Sequence, residues 1–90
     1  MNANTNITFS ATISLYPLFS YFKNQVSWVR RRDWHILSSG ENLYTNDARF
    51  VATHDSGSSR FTLQIKFVQK RDHGVYECQV SFLSKIKFKY

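Results

Sequence analysis

The chain has 90 residues, of which 42% are hydrophobic and 17% aromatic, a composition typical of one folded domain rather than a disordered segment. The net charge of +6 raises the question of an acidic partner, but no nucleic-acid-binding motif accompanies it, so we expect no nucleic acid as a partner. No apolar run is long enough to cross a bilayer and no leader pattern opens the chain, so we expect no membrane insertion by this chain itself.

The first part of the chain has little regular pattern. Residues 13–19 are mainly apolar, but Pro17 lacks a backbone N–H and favours an edge or a bend over a central strand. We therefore expect residues 1–23 to form an atypical N-terminal segment. Asn6 opens an Asn-Ile-Thr triplet that meets the N-glycosylation rule, which makes Asn6 a candidate glycosylation site, although such triplets also arise by chance.

The middle of the chain has the pattern of consecutive β-strands. Within residues 60–66, Phe61, Leu63 and Ile65 alternate with polar side chains, so these three should face a core. A turn is expected at residues 55–59 and a helical corner at residues 69–73. We expect strands at about residues 26–32, 35–38, 42–45, 49–54, 60–66 and 75–81.

Residues 72–78 fit the pattern D-x-G-x-Y-x-C, which is typical of the corner before strand F of an immunoglobulin domain, whose strands are lettered in chain order. Gly74 permits the tight corner, the Tyr76 hydroxyl is expected to bond to upstream backbone, and Cys78 is expected to face the core. Trp28 lies where the core tryptophan of strand C belongs. The pattern predicts an all-β, immunoglobulin-like V-set sandwich with four core residues, Trp28, Leu63, Tyr76 and Cys78.

Residues 26–81 resemble the first immunoglobulin domain of the Dpr (defective proboscis extension response) family of insect neuronal cell-surface proteins. The resemblance rests on the stretches VSWVRRRDWHILSSG, YTNDARFVATH and FTLQIKFVQKRDHGVYECQVS. It implies a recognition module on the extracellular face of the plasma membrane that specifies neuronal contacts. The implied partners are immunoglobulin proteins, the Dpr-interacting proteins, with homophilic binding as a further possibility.

Both ends depart from this pattern. Cys78 is the sole cysteine, so the usual strand B partner is missing, and residues 13–19 stand where strand B belongs. Residues 82–90 lack the expected Pro-containing turn into a regular strand G, although their alternation could supply an improvised strand. We therefore expect an incomplete domain over residues 24–90. Within it, Arg49 at the start of one strand and Asp72 in the corner are expected to form a salt bridge that closes one end of the sandwich.

The resemblance also implies partner contact through the face formed by strands C, C′, C″, F and G. Alternation about Trp28 and Cys78 predicts which side chains point outwards there. An apolar cluster rimmed by polar groups matches the anatomy of a protein interface. We expect Val29, Ile36 and Leu37 at its centre and Arg31, His35, Glu77 and Gln79 around it, while Trp34 or Ile36 could instead turn inwards.

Other functions are less well supported by the residues. The three histidines lie on separate connections without metal-ligand spacing, and Cys78 has no obvious base beside it, so we expect no enzyme activity, metal or cofactor. A non-functional truncated fragment, as from exons joined or omitted, is the main alternative. The basic charge leaves a glycan-binding module as a further alternative.

Overall fold

The computed structural model describes residues 5–14, 17–55, 57–80 and 84–90. Within these residues the chain forms eight strands, one short helix, α1 (Phe19–Phe22), and two 3-10 turns, Lys23–Gln25 and Lys70–Asp72. The strands are β1 Ile7–Thr12, β2 Val26–Arg30, β3 His35–Ser39, β4 Asn42–Leu43, β5 Phe50–His54, β6 Arg60–Ile65, β7 Val75–Val80 and β8 Ser84–Lys89.

The strands form two antiparallel sheets. One has three strands in the order β1-β6-β5, and the other has five in the order β4-β3-β2-β7-β8. Strand β6 alternates as expected, with Phe61, Leu63 and Ile65 buried and the residues between them half-buried. The predicted all-β sandwich is confirmed.

The core lies between the sheets and is rich in aromatic side chains. Trp28, Leu63, Tyr76 and Cys78 all belong to it, and each is 2% exposed or less. The ring of Phe9 lies 5.4 Å from the Tyr76 ring and 6.4 Å from the Trp28 ring, centroid to centroid. Since Phe9 is on the three-stranded sheet and the other two rings are on the five-stranded sheet, these contacts join the two layers.

The N-terminal segment is more regular than the sequence predicts. Residues 7–12 form β1, which pairs with β6 from the Ile7–Ile65 pair to the Thr12–Arg60 pair. The predicted domain start at residue 24 and the placement of strand B at residues 13–19 are therefore wrong. Pro17 lies in a turn, and a short helical stretch follows it before β2. Leu15 and Tyr16, within the predicted strand B, lie outside the described residues.

The C-terminal strand is also regular. Strand β8 pairs with β7 along six residues, from Val80–Ser84 to Val75–Lys89, so the expected absence of a regular strand G is wrong. Its inner side chains, Ile86 and Phe88, pack against the core, which is why the alternation of residues 84–89 suffices to form a strand.

The end of the sandwich near Asp72 is closed by polar contacts. Arg49 donates to both carboxylate oxygens of Asp72, at 2.7 and 3.0 Å, and the Tyr76 hydroxyl donates to the Asp72 carbonyl at 2.7 Å. Gly74 has φ of +140°, a conformation that favours glycine, and it makes the corner before β7. These contacts fix β5, the 3-10 turn and β7 relative to one another.

Candidate partner-binding face

One side of the five-stranded sheet faces away from the core and is called the outer face. Its cross-strand rows follow the register of β2, β7 and β8: Val29 lies beside Glu77 and Lys87, and Ser27 lies beside Gln79 and Lys85. Of the alternate residues, Trp28, Tyr76, Cys78 and Val80 are buried in the core, and Ile86 and Phe88 of β8 are partly buried and pack against it. The outer face is formed by Ser27, Val29, Arg31, Ile36, Val75, Glu77, Gln79, Lys85, Lys87 and Lys89.

A bulge in β3 decides which of two neighbouring apolar residues faces outwards. The register between β2 and β3 shifts between Trp28 and Val29, so Trp28 pairs with Ser38 and Val29 pairs with Ile36. Leu37 is the extra residue; it is 0% exposed and belongs to the core, whereas Ile36 is 49% exposed. The expectation that Leu37 forms the centre of an interface is therefore wrong.

Four exposed large apolar side chains lie at the end of the sheet that is formed by β3 and β4. We call this set the apolar edge: Trp34 in the turn after β2, Ile36 in β3, Leu43 in β4 and Tyr44 directly after it. Each of the four is at least 44% exposed. Several large apolar side chains grouped at one sheet edge are a typical sign of a binding surface.

The turn that presents Trp34 is held by an ion pair. Arg30 donates to both carboxylate oxygens of Asp33 at 3.0 and 2.9 Å, and this bonding lowers the pKa of Asp33 to about 2. Trp34 has φ of +55°, a left-handed conformation that is costly for a bulky residue. Its ring lies 4.2 Å from the guanidinium carbon of Arg31, so the indole is held against a cation.

Arg31 joins this turn to the middle of the outer face. Its Nη1 lies 2.5 Å from Oε2 of Glu77, whose side chain points outwards but is 1% exposed. Lys85 lies 4.0 Å from the other carboxylate oxygen. Val29 beside Glu77 is 5% exposed. Glu77 and Val29, both expected as partner contacts, are therefore covered in the unbound chain, and Glu77 positions Arg31 instead.

Two predicted contact residues remain, and only Gln79 lies on the outer face, whereas His35 is bonded to its neighbours at the sheet edge. Gln79 is half-buried on the outer face, where it lies between Ser27 and Lys85. His35 pairs with Arg30 and its ring contacts the Arg30 guanidinium at 3.4 Å and the Tyr44 carbonyl at 3.2 Å. His35 thus ties the apolar edge to the sheet. A β-bulge and this histidine contact were not visible in the sequence pattern.

The cysteine, the metal-ligating side chains and the candidate glycosylation site can each be located in the described residues. Burial raises the pKa of the Cys78 thiol to about 12, so it is a core side chain and not a nucleophile. No cluster of three metal-ligating side chains occurs among the residues that the structure describes. Asn6, the candidate glycosylation site, is exposed, and its side-chain oxygen accepts a hydrogen bond from the Phe67 N–H.

Comparison with known proteins shows the family to which this architecture belongs. The model of the immunoglobulin V-set domain matches residues 4–90. The chain belongs to the immunoglobulin V-set family. This V-set domain is 48% identical over 44 residues to lachesin from Schistocerca americana and to lachesin from Drosophila melanogaster. The matched stretch is 49% of this chain and only 13% and 12% of those proteins.

Solved structures are similar over nearly the whole V-set domain. The crystal structure of Dpr1 IG1 bound to DIP-eta IG1 contains a chain that is 38% identical, with a TM-score of 0.78, covering 98% of this chain and 78% of that one. The structure of Dpr11 IG1 bound to DIP-gamma contains a chain that is 36% identical, with a TM-score of 0.75, covering 96% of this chain and 84% of that one.

No helix in the described part of the domain is long and apolar enough to cross a membrane.

Proposed function

We propose that this V-set domain is a recognition module of the Dpr type, which binds immunoglobulin domains of cell-surface partners at the extracellular face of neuronal membranes. The observation that carries the proposal is the apolar edge beside the outer face of the five-stranded sheet. It is supported by the 38% and 36% identity to chains of structures in which Dpr domains are bound to DIP domains. We therefore choose the Dpr-interacting proteins (DIPs), which are the partners in those structures, as the first candidate partners to test.

The proposed contact has an apolar centre and a charged side. Ile36 and Trp34 offer exposed apolar surface at the centre, and Arg31 and Gln79 extend it over the outer face. Aromatic and arginine side chains are the groups that most often dominate binding energy. Because Glu77 and Trp34 hold the Arg31 guanidinium from two sides, its position is fixed before a partner arrives, which lowers the entropy lost on binding.

The test is binding of the purified chain to the immobilised first immunoglobulin domains of DIP-eta and DIP-gamma. We expect at least one to bind, and Ile36→Asp to weaken that binding at least about tenfold, since it places a charge at an apolar centre. Thr53→Asp is the matched control, because Thr53 is exposed on the opposite sheet; its effect should stay within about twofold. Absence of binding to both, or equal effects of the two substitutions, would contradict the proposal.

The same preparation separates two alternatives. A non-functional fragment predicts no cooperative unfolding in near-ultraviolet circular dichroism, whereas a complete sandwich predicts a single transition. Homophilic binding predicts a dimer in sedimentation of the chain alone, and Ile36→Asp should then dissociate it. Both measurements, circular dichroism and sedimentation, use the chain alone and need no partner protein.

A further inference from the structure

We propose that the outer side of β8 is a binding site for a linear sulfated polysaccharide of the heparan type. The site consists of Lys85, Lys87 and Lys89, which we call the lysine row. It lies at the opposite edge of the sheet from the apolar edge, because β4 and β8 are the two end strands of the sheet. This inference goes beyond recognition of an immunoglobulin partner and does not depend on it.

The lysine row follows from the register of β8. Lys85, Lys87 and Lys89 alternate with Ile86 and Phe88, which pack against the core, so the lysines share the outer face. All three are exposed. With a rise of about 3.4 Å per residue, successive lysines are about 7 Å apart and the row is about 14 Å long. As the sheet ends at β8, the ammonium groups are open to solvent from the face and from the edge.

Within the described residues, the protein compensates the positive charge of the row only at Lys85, whose ammonium group lies 4.0 Å from a carboxylate oxygen of Glu77. Of the six side-chain carboxylates of the sequence, five form ion pairs with arginines. The sixth, Glu41, lies in the turn between β3 and β4, on the far side of the sheet. Glu77 is the carboxylate beside the row, and it is buried and already bound to Arg31. Among the described residues, neither Lys87 nor Lys89 has an ion-pair partner, so both ammonium groups are available to an anion.

Further cations lie near the end of the row at Lys89. The backbone of Tyr90 exchanges two hydrogen bonds with Gly74, which brings the end of β8 to the corner before β7. Three residues before that glycine is Arg71, and the guanidinium of Arg32 donates to its carbonyl. Arg32 and Arg71 are both exposed and line a cavity of about 210 Å³, whose lining also includes two further arginines and the two aspartates Asp47 and Asp72, so the arginines outnumber the carboxylates there four to two. A chain of anions that follows the lysine row would therefore meet more positive charge at this end.

The chemistry of the row fits sulfate groups on an extended chain. Each lysine is a compact charge with three donors on a flexible stem, which suits binding to anionic oxygens without fixed geometry. A single-stranded nucleic acid would need aromatic side chains for base stacking, and the outer neighbours of the row are Val75, Glu77 and Gln79. A straight row of like charges is complementary to a linear polymer that carries anions at regular intervals.

The test compares two variants of equal net charge. K85Q/K87Q/K89Q removes the row, and K23Q/K66Q/K70Q removes three lysines from outside it, so each lowers the net charge from +6 to +3. The probe is a size-defined heparin oligosaccharide, measured by calorimetry at about 0.15 M salt. We expect the row variant to bind at least about tenfold more weakly and the control to change by less than about threefold. The slope of log affinity against log salt should become shallower by roughly 2 only in the row variant.

Each other outcome would overturn the proposal. Equal losses in the two variants would mean that heparin senses net charge alone, as would be the case if the lysines only oppose edge-to-edge pairing of β8. Equal affinity for a polyglutamate peptide of matched charge would assign the row to an acidic protein surface. No measurable binding by the unmodified chain would remove the site. K85R/K87R/K89R keeps the charges and should keep the affinity. If K85Q/K87Q/K89Q does not fold, K87Q/K89Q replaces it and is compared with K66Q/K70Q; equal losses in these two variants would likewise contradict the proposal.

The two proposals fail separately. Ile36→Asp lies at the apolar edge and should leave heparin affinity unchanged. A chain that binds no DIP domain but loses heparin affinity specifically in K85Q/K87Q/K89Q would support the lysine row and contradict the proposed recognition function.

Discussion

Replacement of Asp72 by asparagine tests how the end of the sandwich is held. The Asp72 side chain is 1% exposed and accepts hydrogen bonds from Arg49 at 2.7 and 3.0 Å and from the Gln69 N–H at 2.8 Å. Asparagine keeps the size but removes the charge and turns one acceptor into a donor. Loss of one partner of a buried ion pair costs about 3–5 kcal/mol. Because Arg49 retains Asp47 at 2.9 Å, we expect a cost at or just below the lower limit of this range, about 2–3 kcal/mol.

The same carboxylate makes stability depend on pH. Burial opposes ionisation of Asp72, but hydrogen bonds from the Arg49 guanidinium and the Gln69 N–H outweigh it and lower the pKa of Asp72. A lowered folded-state pKa gives stability that is complete above the unfolded-state value of about 3.9 and is lost as pH falls through the folded value. The difference between the unmodified chain and Asp72→Asn should therefore shrink below about pH 4.

Urea unfolding followed by tryptophan fluorescence measures both effects, since Trp28 is buried in the folded chain. With a slope of about 1 kcal/mol per M, Asp72→Asn should lower the midpoint by about 2–3 M. The matched control is Asp47→Asn, because Asp47 is partly exposed and Arg49 keeps Asp72; it should cost less than about 1 kcal/mol. A loss below about 0.5 kcal/mol for Asp72→Asn, or equal losses for the two variants, would refute this account.

Three further predictions concern single buried or exposed side chains. The first two are measured by the same urea unfolding, and the third by chemical labelling with and without urea. Tyr76→Phe should cost about 1–2 kcal/mol, because it leaves the Asp72 carbonyl without its buried donor; a cost near zero would mean that water replaces the hydroxyl. Leu37→Ala should cost about 2–5 kcal/mol and Ile36→Ala less than about 1, and the reverse order would contradict the bulge. The Cys78 thiol, whose pKa burial raises to about 12, should react with iodoacetamide at pH 8 only in urea that unfolds the chain; labelling of the folded chain would contradict its burial.

The sequence predicts β2 to β7 because their signals are local and strong. Trp28, Tyr76 and Cys78 occur in a motif, and residues 60–66 alternate without interruption. The same kind of signal is present in β1 and the residue after it, where Phe9, Ala11 and Ile13 are buried and alternate with exposed polar residues. The sequence pattern nevertheless favours residues 13–19 as strand B, because that stretch is strongly apolar and no cysteine marks β1 as a core strand.

The candidate site was less predictable than the fold. The choice between Ile36 and Leu37 depends on a one-residue bulge, and a single shift of register exchanges the two faces of a strand. Burial of Glu77 and Val29 on an outward face depends on how neighbouring side chains cover them, which alternation does not report. Strand periodicity therefore predicts the direction of a side chain, while its accessibility is a property of the assembled surface.

A sandwich without the usual disulfide needs another link between its layers, and Phe9 provides one. Its ring lies 6.4, 5.4 and 5.2 Å from the rings of Trp28, Tyr76 and Phe88, which come from three strands of the opposite sheet. Such pairs contribute about 0.5–1.5 kcal/mol each beyond the burial of their area. Three such pairs contribute about 1.5–4.5 kcal/mol in total. The loss of a native disulfide costs about 2–5 kcal/mol, which is a comparable free energy. Because Phe88 belongs to β8, the aromatic cluster also holds in place the strand that carries the lysine row.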